Sequence, residues 1–524
     1  MAIKVNNITV IGDDLNVSNV GVVTATSFSG SAAGLTNVPA PVAGEVEAVA
    51  SGNLYDGTKV VVNSDGTVSA TYPFGPETIF DNFDTFYSNI AYDSTNGKVI
   101  YAYRQGGSGP GMCVIGEVSG DTISFGTPVQ FATSGGDRIV PIYDSSTDRV
   151  VVQDDNKNGL HGFQANSGAV FVGTISGNSI SFGSPVKIVP GTTSALIRSF
   201  GGGNGAPGTI ISTYQISGQT SVAVVGTITG GATNTVSFGT TATYTTDTAE
   251  SGGNNIITPT YFDDSGTDRI IIPYQNRSSG DRGTAVVGTQ SGNSLTFGTP
   301  VQFESANAYE LKSVIDTNEN RVVTTYKRST TSGAANAIVG QVSGNSISFG
   351  TRTEYNPSAN SMALAYNPVA NRIIVGYSDL FNEPGNVKVG TVTGGATNSI
   401  TFGPELSEYT PNAVYTRAVY DSINDTVVFI YSDYANDYIA GRTFNTLSIG
   451  SLSETNFVGI SKSSYTDGQT ATIQIAGSVD DAQTGLTTGS KYYVQTNGTL
   501  STTPDIPSVL AGTAIASNKI IVKQ

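Results

Sequence analysis

The 524-residue chain contains no tryptophan, a single cysteine and a single histidine. One cysteine, Cys113, permits no intrachain disulfide, so the fold must rest on its packed core. Cys113 stands in the strand-like run MCVIGEV, the setting of a buried thiol rather than a reactive one. With His161 as the only imidazole, no zinc-ligand cluster can be assembled from histidines. Charge is also scarce: Asp, Glu, Lys and Arg make up 13% of the chain, against about 25% in ordinary domains. The balance is −16, which opposes the clustered Lys and Arg that nucleic acid requires. It equally disfavours anionic membranes and promotes solubility. No apolar run is long enough to span a bilayer. The opening MAIKVNNITVIGDD lacks the apolar core of a signal peptide, so synthesis and folding in cytoplasm are expected.

What is abundant is glycine, 63 residues, together with serine, threonine and β-branched residues in alternating runs. No segment carries a capped 3.6-residue apolar period, so the chain is read as all-β. The stretch SGNSISFG at Ser176–Gly183 returns letter for letter at Ser343–Gly350. Phe-Gly pairs fall at Phe74, Phe125, Phe182, Phe238, Phe297, Phe349 and Phe402, 51 to 59 residues apart, with a degenerate return, LSIG, ending at Gly450. Each unit reads as four strands with tight turns after the first and third and a longer loop after the second, as in RIVPIYD-SSTD-RVVVQDD…AVFVGTIS-GN-SISFG. Four antiparallel strands at this period predict a β-propeller blade, because one such sheet cannot bury both its faces alone. A seven-bladed propeller over 76–454 is expected, in preference to a β-solenoid, whose coils are usually shorter. How the ring closes is left open, since TVSATYPFG before the first unit also resembles an outer strand and could latch onto the seventh.

The flanks have another texture. Residues 1–42 are small and polar, so alone they would form a linker. Wound together with further copies they would share one thin core, and the alternation of Val23, Ala25 and Ser27 favours that arrangement. Residues 455–524 read as a small β-module. GTKVVVNSDGTVSATYP at Gly57–Pro73 echoes GSKYYVQTNGTLSTTP at Gly489–Pro504. Residues 43–75 are therefore expected to pair with that module, with the propeller inserted between.

The stretch NVSNVGVVTATSFSGSAAGLTNV resembles segments of tail and fibre proteins of tailed bacteriophages, especially those of marine cyanobacteria. The run FVGISKSSYTDGQTATIQIAG…GLTTGSKYYVQTNGTLSTTP…VLAGTAI resembles a β-module of such virion proteins, and the VGTVSGNSISFG-like repeats resemble propellers found between such flanks. The resemblance implies a virion structural protein: a homotrimeric appendage assembled in the host cytoplasm, attached to other virion proteins through its N-terminal segment, with the propeller outward. A tail-associated fibre or adhesin for a host-surface glycan is the first expectation. A head fibre or capsid decoration protein is the alternative, and a polysaccharide-degrading enzyme the less favoured third.

Chemistry is sparse. The Asp-rich turns (Asp263-Asp264-Ser265-Gly266-Thr267-Asp268, Asp144 to Asp148, Asp93 to Asn96) offer oxygen ligands for calcium. Asp, Asn, Ser and Gly are, however, what tight turns use, and the sixth unit has NPVAN there. Hairpin turns are expected and no cofactor is assigned. The Trp-containing Asp-box of sialidase-type propellers is missing; Ser64-Asp65-Gly66-Thr67 occurs once, as an Asp-Gly hairpin outside the repeats. His161 lies in the loop DDNKNGLHGFQANSG with no nucleophile-elbow sequence nearby. No enzyme is expected.

Ligand recognition is assigned instead to the loops between second and third strands, which vary while the opposite turns stay constant. Each loop follows a recurrent tyrosine (Tyr103, Tyr214, Tyr274, Tyr326, Tyr377, Tyr431, with Gln153 in the second unit), expected to bury its ring and satisfy its hydroxyl at the face. The candidate ligand-facing residues are Arg104, Asp154, Lys157, His161, Phe163, Tyr214, Arg277, Arg282, Lys327, Arg328, Phe381, Tyr434 and Tyr438.

Overall fold

The computed structural model describes residues 3–5, 8–11 and, with short interruptions, 44–523. Nearly all of the 1–42 segment and the LSIG return lie outside the described residues. The chain divides into two compact units, Met1–Glu45 and Val46–Gln524. In the first, Ile3–Val5 and Ile8–Ile11 form an antiparallel hairpin. The second is all-β, and among the described residues it contains no α-helix.

Each repeat is an antiparallel meander. In the second, Ile139–Asp144 pairs with Arg149–Asp154, which pairs with Ala169–Ser176, which pairs with Ser179–Phe182. After the Phe-Gly pair the chain doubles back onto the third strand of its own repeat, as Val129–Ala132 does on Gly111–Ser119. Between the fourth and fifth repeats this return strand runs on without a break. Val301–Asp316 pairs first with Arg282–Ser291 and then with Arg321–Arg328, fusing two meanders into one continuous sheet. The first strands adjoin one another in chain order, and Ala413–Asp421 of the last repeat adjoins Ser88–Asp93 of the first. Cyclic stacking of this kind is a β-propeller.

The second strands are buried on both faces; every residue of Lys98–Arg104 is inaccessible or nearly so. This explains why they read as continuous apolar runs rather than alternating ones. The seams between repeats hold the core. Ile100, Cys113, Val152 and Phe171 pack between the first two, while Val99, Tyr101, Val428 and Ile430 pack between first and last. Each such buried side chain contributes about 1.5–3 kcal/mol relative to exposure.

The recurring octapeptide fastens these seams. Its Phe lies across from a glycine of the third strand, as in Gly173↔Phe182 and Gly340↔Phe349. Its final Gly abuts the turn of the next repeat. A Cβ on Gly298 would stand 1.9 Å from the Asn345 carbonyl oxygen, and one on Gly126 would stand 1.8 Å from that of Asn178. The turn asparagine in turn accepts from a cation on the preceding repeat. Lys98 Nζ donates to Asn178 Oδ1 at 2.9 Å, Arg149 Nε to Asn234 Oδ1 at 2.9 Å and Arg321 Nε to Asn398 Oδ1 at 2.7 Å.

Ring closure follows the same rule with a strand from the other end of the sequence. Phe74 bridges Phe444, Gly75 N–H donates to the Thr443 carbonyl at 3.0 Å, and Thr78–Asp81 pairs with Tyr438–Phe444. A Cβ on Gly75 would lie 1.7 Å from the Asp121 carbonyl oxygen in the first repeat. Phe74 and Gly75 are thus the latch, taking the place that the Phe-Gly pair of SISFG occupies in the other repeats. Beside it, Lys59–Val62 and Val68–Ala70 share a sheet with Phe457–Ser461 and Thr470–Gln474, and Lys491–Val494, Val509–Ala516 and Lys519–Val522 build a second sheet.

Candidate functional site

The two faces of the propeller are built differently. On one, first and second strands turn tightly around an acid whose carboxylate is taken by its own turn. Asp93 accepts from the N–H groups of Thr95 and Asn96 at 2.9 Å, Asp316 from those of Asn318 and Glu319 at 3.0 Å, and Asp421 from those of Ile423 and Asn424. These are Asx-type turns, and neighbouring repeats add to them where Gly208 N–H donates to Asp144 at 2.9 Å and the Tyr92 hydroxyl to Asp421. Among the described residues no group of three or more acidic, His or Cys side chains is placed to hold a metal ion.

The other face carries the loops after the second strands. The recurrent tyrosines are all fully buried at the ends of those strands. Four of them donate to an acid just beyond a Phe-Gly pair. Tyr103 reaches Asp81 at 2.5 Å and Tyr326 reaches Glu304 at 3.0 Å, while Tyr377 bonds Glu405 and Tyr431 bonds Glu77. Tyr438 also donates to Glu77, at 3.0 Å. In the second repeat Gln153 replaces tyrosine and crosses the seam instead, donating to the Ile211 carbonyl at 3.1 Å and accepting from Ser212 at 2.8 Å. Burial, followed by the adjacent carboxylate, pushes the Tyr326 and Tyr103 phenols well above their usual range; for Tyr103 the hydrogen bond to Asp81 is the larger part of the carboxylate's effect. They stay neutral donors. The acids went unnoticed in sequence, although the repeated FGPE at Phe74–Glu77 and Phe402–Glu405 marks two of them.

The structure distributes the candidate residues unevenly. Arg104 and Asp154 meet in one buried network spanning the first and second repeats. Arg104 Nη1 pairs with Asp137 at 2.6 Å, and its guanidinium stacks 4.1 Å from the Tyr87 ring centre. Asp154 accepts from Gly136 N–H at 2.9 Å and Asn156 N–H at 2.6 Å, beside Asp155, which accepts from Asp137 N–H at 3.0 Å and pairs with Arg138 at 3.4 Å. Burial, and then the Asp155 charge, hold the Asp154 carboxyl well above the usual carboxylate range. This network binds loop to loop; its members are turned inward. Tyr214 is likewise buried, its phenol pushed up to about 12 by burial. Phe163 packs partly buried against the core between the first and second repeats.

Lys327 is also buried. Its ammonium pairs with Glu310 at 2.7 Å, over the Tyr309 ring at 5.4 Å. Arg328 leans on Glu304 at 3.2 Å, and Arg352 approaches the same carboxylate at 3.7 Å. Burial opposes ionisation of Glu304, but Ala306 N–H, Tyr326 and Arg328 outweigh it and keep its pKa below the usual glutamate value. The outward cations are Arg277 and Arg282. Arg277 opens the short 3-10 turn Arg277–Ser279 and Arg282 follows it, with the Arg277 side chain 53% exposed and paired with Glu250 at 2.7 Å. Lys157, His161, Phe381 and Tyr434 lie outside the described residues.

No family model matches the chain, and no curated protein is detectably similar to it. Solved structures resemble it at low identity. A Burkholderia pseudomallei lectin is 10% identical, with 72% of this chain and 100% of that chain covered and a TM-score of 0.49. A protein of unknown function from Dyadobacter fermentans is 12% identical, with 77% and 100% covered and a TM-score of 0.40. The Trypanosoma rangeli sialidase is 11% identical, with 77% and 59% covered and a TM-score of 0.35. None of these likenesses assigns a ligand or a reaction to this chain.

Proposed function

We propose that the chain is a virion structural protein of a tailed phage, a tail-associated fibre or adhesin that binds a host-surface glycan. Its head is a closed seven-bladed propeller spanning 76–454, inserted into the β-module of 43–75 and 455–524. Residues 1–42 join it to other virion proteins and to further copies of itself as a homotrimer. The observation that carries the binding reading is the division between faces. One face is held constant by Asx-type turns, and the other presents divergent loops on a scaffold of buried tyrosine–carboxylate pairs. Such loops, with outward Arg277 and Arg282 and with Tyr438 and Arg328 behind them, suit hydrogen bonding and stacking with sugars. The virion reading rests on the flanking sequences. No catalytic role is assigned.

The test is a glycan array probed with the full chain and with the Arg277→Ala/Arg282→Ala protein. Retention of a host-type glycan that the double variant loses by about tenfold, or 1.4 kcal/mol, is expected. The variant's stability should stay within about 0.5 kcal/mol of the parent, because exposed ion pairs contribute little. Failure to retain any glycan would sink the adhesin reading. Antibody labelling of particles then separates tail from capsid, the capsid outcome favouring a head fibre or decoration protein. Projection images along the propeller axis should show seven lobes.

A further inference from the structure

The propeller axis holds a feature that the loop-face reading does not use. Residues in and just before the first strands line a cavity of about 140 Å³, among them Asn89, Thr258, Lys312, Ala363 and Arg417. Lys312 and Arg417 stand at equivalent places, each four residues before the acid of its hairpin turn, Asp316 and Asp421. The same place holds Asn89, Val140, Phe200, Pro259 and Ala363 in the other repeats. Ala363, in the repeat between the two cations, is small enough to leave space between them.

The backbone is deformed at these two strands. In Val301–Asp316 the pairing passes from Tyr309↔Lys327 to Lys312↔Thr325, so that Glu310 and Leu311 oppose Tyr326 alone. In Ala413–Asp421 it passes from Val414↔Ser432 to Arg417↔Ile430, so that Tyr415 and Thr416 oppose Tyr431 alone. Glu310 and Tyr415 take φ of 57° and 52°, the left-handed region that costs bulky L-residues. The first-to-second strand pairings of the first, second and sixth repeats run without a shift. Bulges re-aim the side chains that follow them; here both bulges precede a cation that lines the cavity.

Neither cation has an ion pair of its own among the described residues. No hydrogen bond or ion pair engages the Lys312 ammonium among the described residues. Arg417 donates from Nε to the Ser88 carbonyl at 2.8 Å and from Nη1 to the Thr416 carbonyl at 2.9 Å, both uncharged partners. The nearby carboxylate, Glu310, is already held by Lys327 at 2.7 Å. In a chain of net charge −16, two cations converging on one small cavity, with Lys327 a third and Glu310 the carboxylate shared among them, leave an anion's place open.

We propose that this axial cavity is an oxyanion site, in which Lys312 and Arg417 clamp a carboxylate or sulfate, free or borne by an acidic saccharide. Burial, and then the Arg417 charge, depress the Lys312 ammonium to about 7. The other charged or titratable groups around it are Glu310, Lys327, Tyr101 and Tyr415. Anion affinity should therefore fall as pH rises from 6 to 9.

The experiment is isothermal titration of the full chain with sulfate, acetate, glucuronate and neutral glucose, at pH 6 and 8.5, beside Lys312→Met. Because the Lys312 ammonium has no hydrogen bond or ion pair to lose among the described residues, that variant should keep the parent's melting temperature. Saturable 1:1 binding of an anion at pH 6, lost by tenfold or more in Lys312→Met and absent with glucose, is expected. Glucuronate tighter than acetate identifies an acidic saccharide as the source; equal affinities identify the free anion. Absence of anion binding into the millimolar range, or binding that Lys312→Met leaves unchanged, overturns the proposal. The Arg277→Ala/Arg282→Ala protein should bind these anions as the parent does, so failure of the loop-face reading and failure of this one are distinguishable.

Discussion

The two faces of the propeller hold their acids with a different balance of local and distant partners. On the turn face, Asp93, Asp316 and Asp421 each accept from backbone N–H groups within three residues of themselves, and at Asp421 the Tyr92 hydroxyl of the first repeat adds to these. On the loop face, Glu77 is reached by Tyr431 and Tyr438, and Glu304 by Tyr326, from strands distant in sequence or across a sheet. Local satisfaction demands a fixed turn sequence, so the turns look alike. Long-range satisfaction places the constraint on a buried phenol and a carboxylate, and the loop between them is free to change. A scaffold of the second kind can vary its display without altering its frame.

The contrast can be broken in graded ways. Gly75→Ala strikes the frame itself, since the new Cβ would lie 1.7 Å from the Asp121 carbonyl oxygen at the closing seam. It should lower stability by more than about 3 kcal/mol, read by chemical denaturation. Glu304→Ala comes next. Glu304 is 4% exposed, and removing it strands the Tyr326 hydroxyl and the Arg328 charge at a cost of about 3 kcal/mol. Asp316→Ala on the turn face should cost only about 1 kcal/mol. Equal costs in the two variants would refute the distinction between faces.

The smallest effect is one of pH. Asp154 has a folded-state pKa raised above its unfolded value, so the folded protein binds the extra proton. Its unfavourable contribution is fully present above the raised pKa and is relieved as pH falls toward the ordinary aspartate range. Asp154→Asn should flatten the stability profile between pH 7 and 4. An unchanged profile would mean that Asp154 is ionised as usual.

Much of this frame was legible in the chain. The Phe-Gly spacing, the tight hairpins and the buried recurrent tyrosines follow from local pattern, and the structure adds that Gly298 and Gly126 admit no side chain because of the neighbouring turn. What could not be read is what depends on pairs far apart in sequence. Arg104 and Asp154 look like loop residues in the text, but Asp137 and the Gly136 N–H draw them inward. The extra residues at Glu310 and Tyr415 are hidden because a two-for-one bulge leaves the apolar pattern of each strand almost intact. Lys312 and Arg417 were for the same reason indistinguishable from ordinary surface cations.

The latch has a consequence for biosynthesis. Phe74 and Phe444, which meet at the closing seam, are packed together with ring centres 4.9 Å apart. Translation delivers the first of them some 370 residues before the second, a wait of about 20–70 s at 5–20 residues per second. Throughout that interval the earlier repeats can stack on one another, but the strand that completes the ring has nowhere to dock. The nascent chain is therefore an open arc with a waiting apolar clasp, and release of the final repeat, rather than formation of any single sheet, is the event that commits the ring.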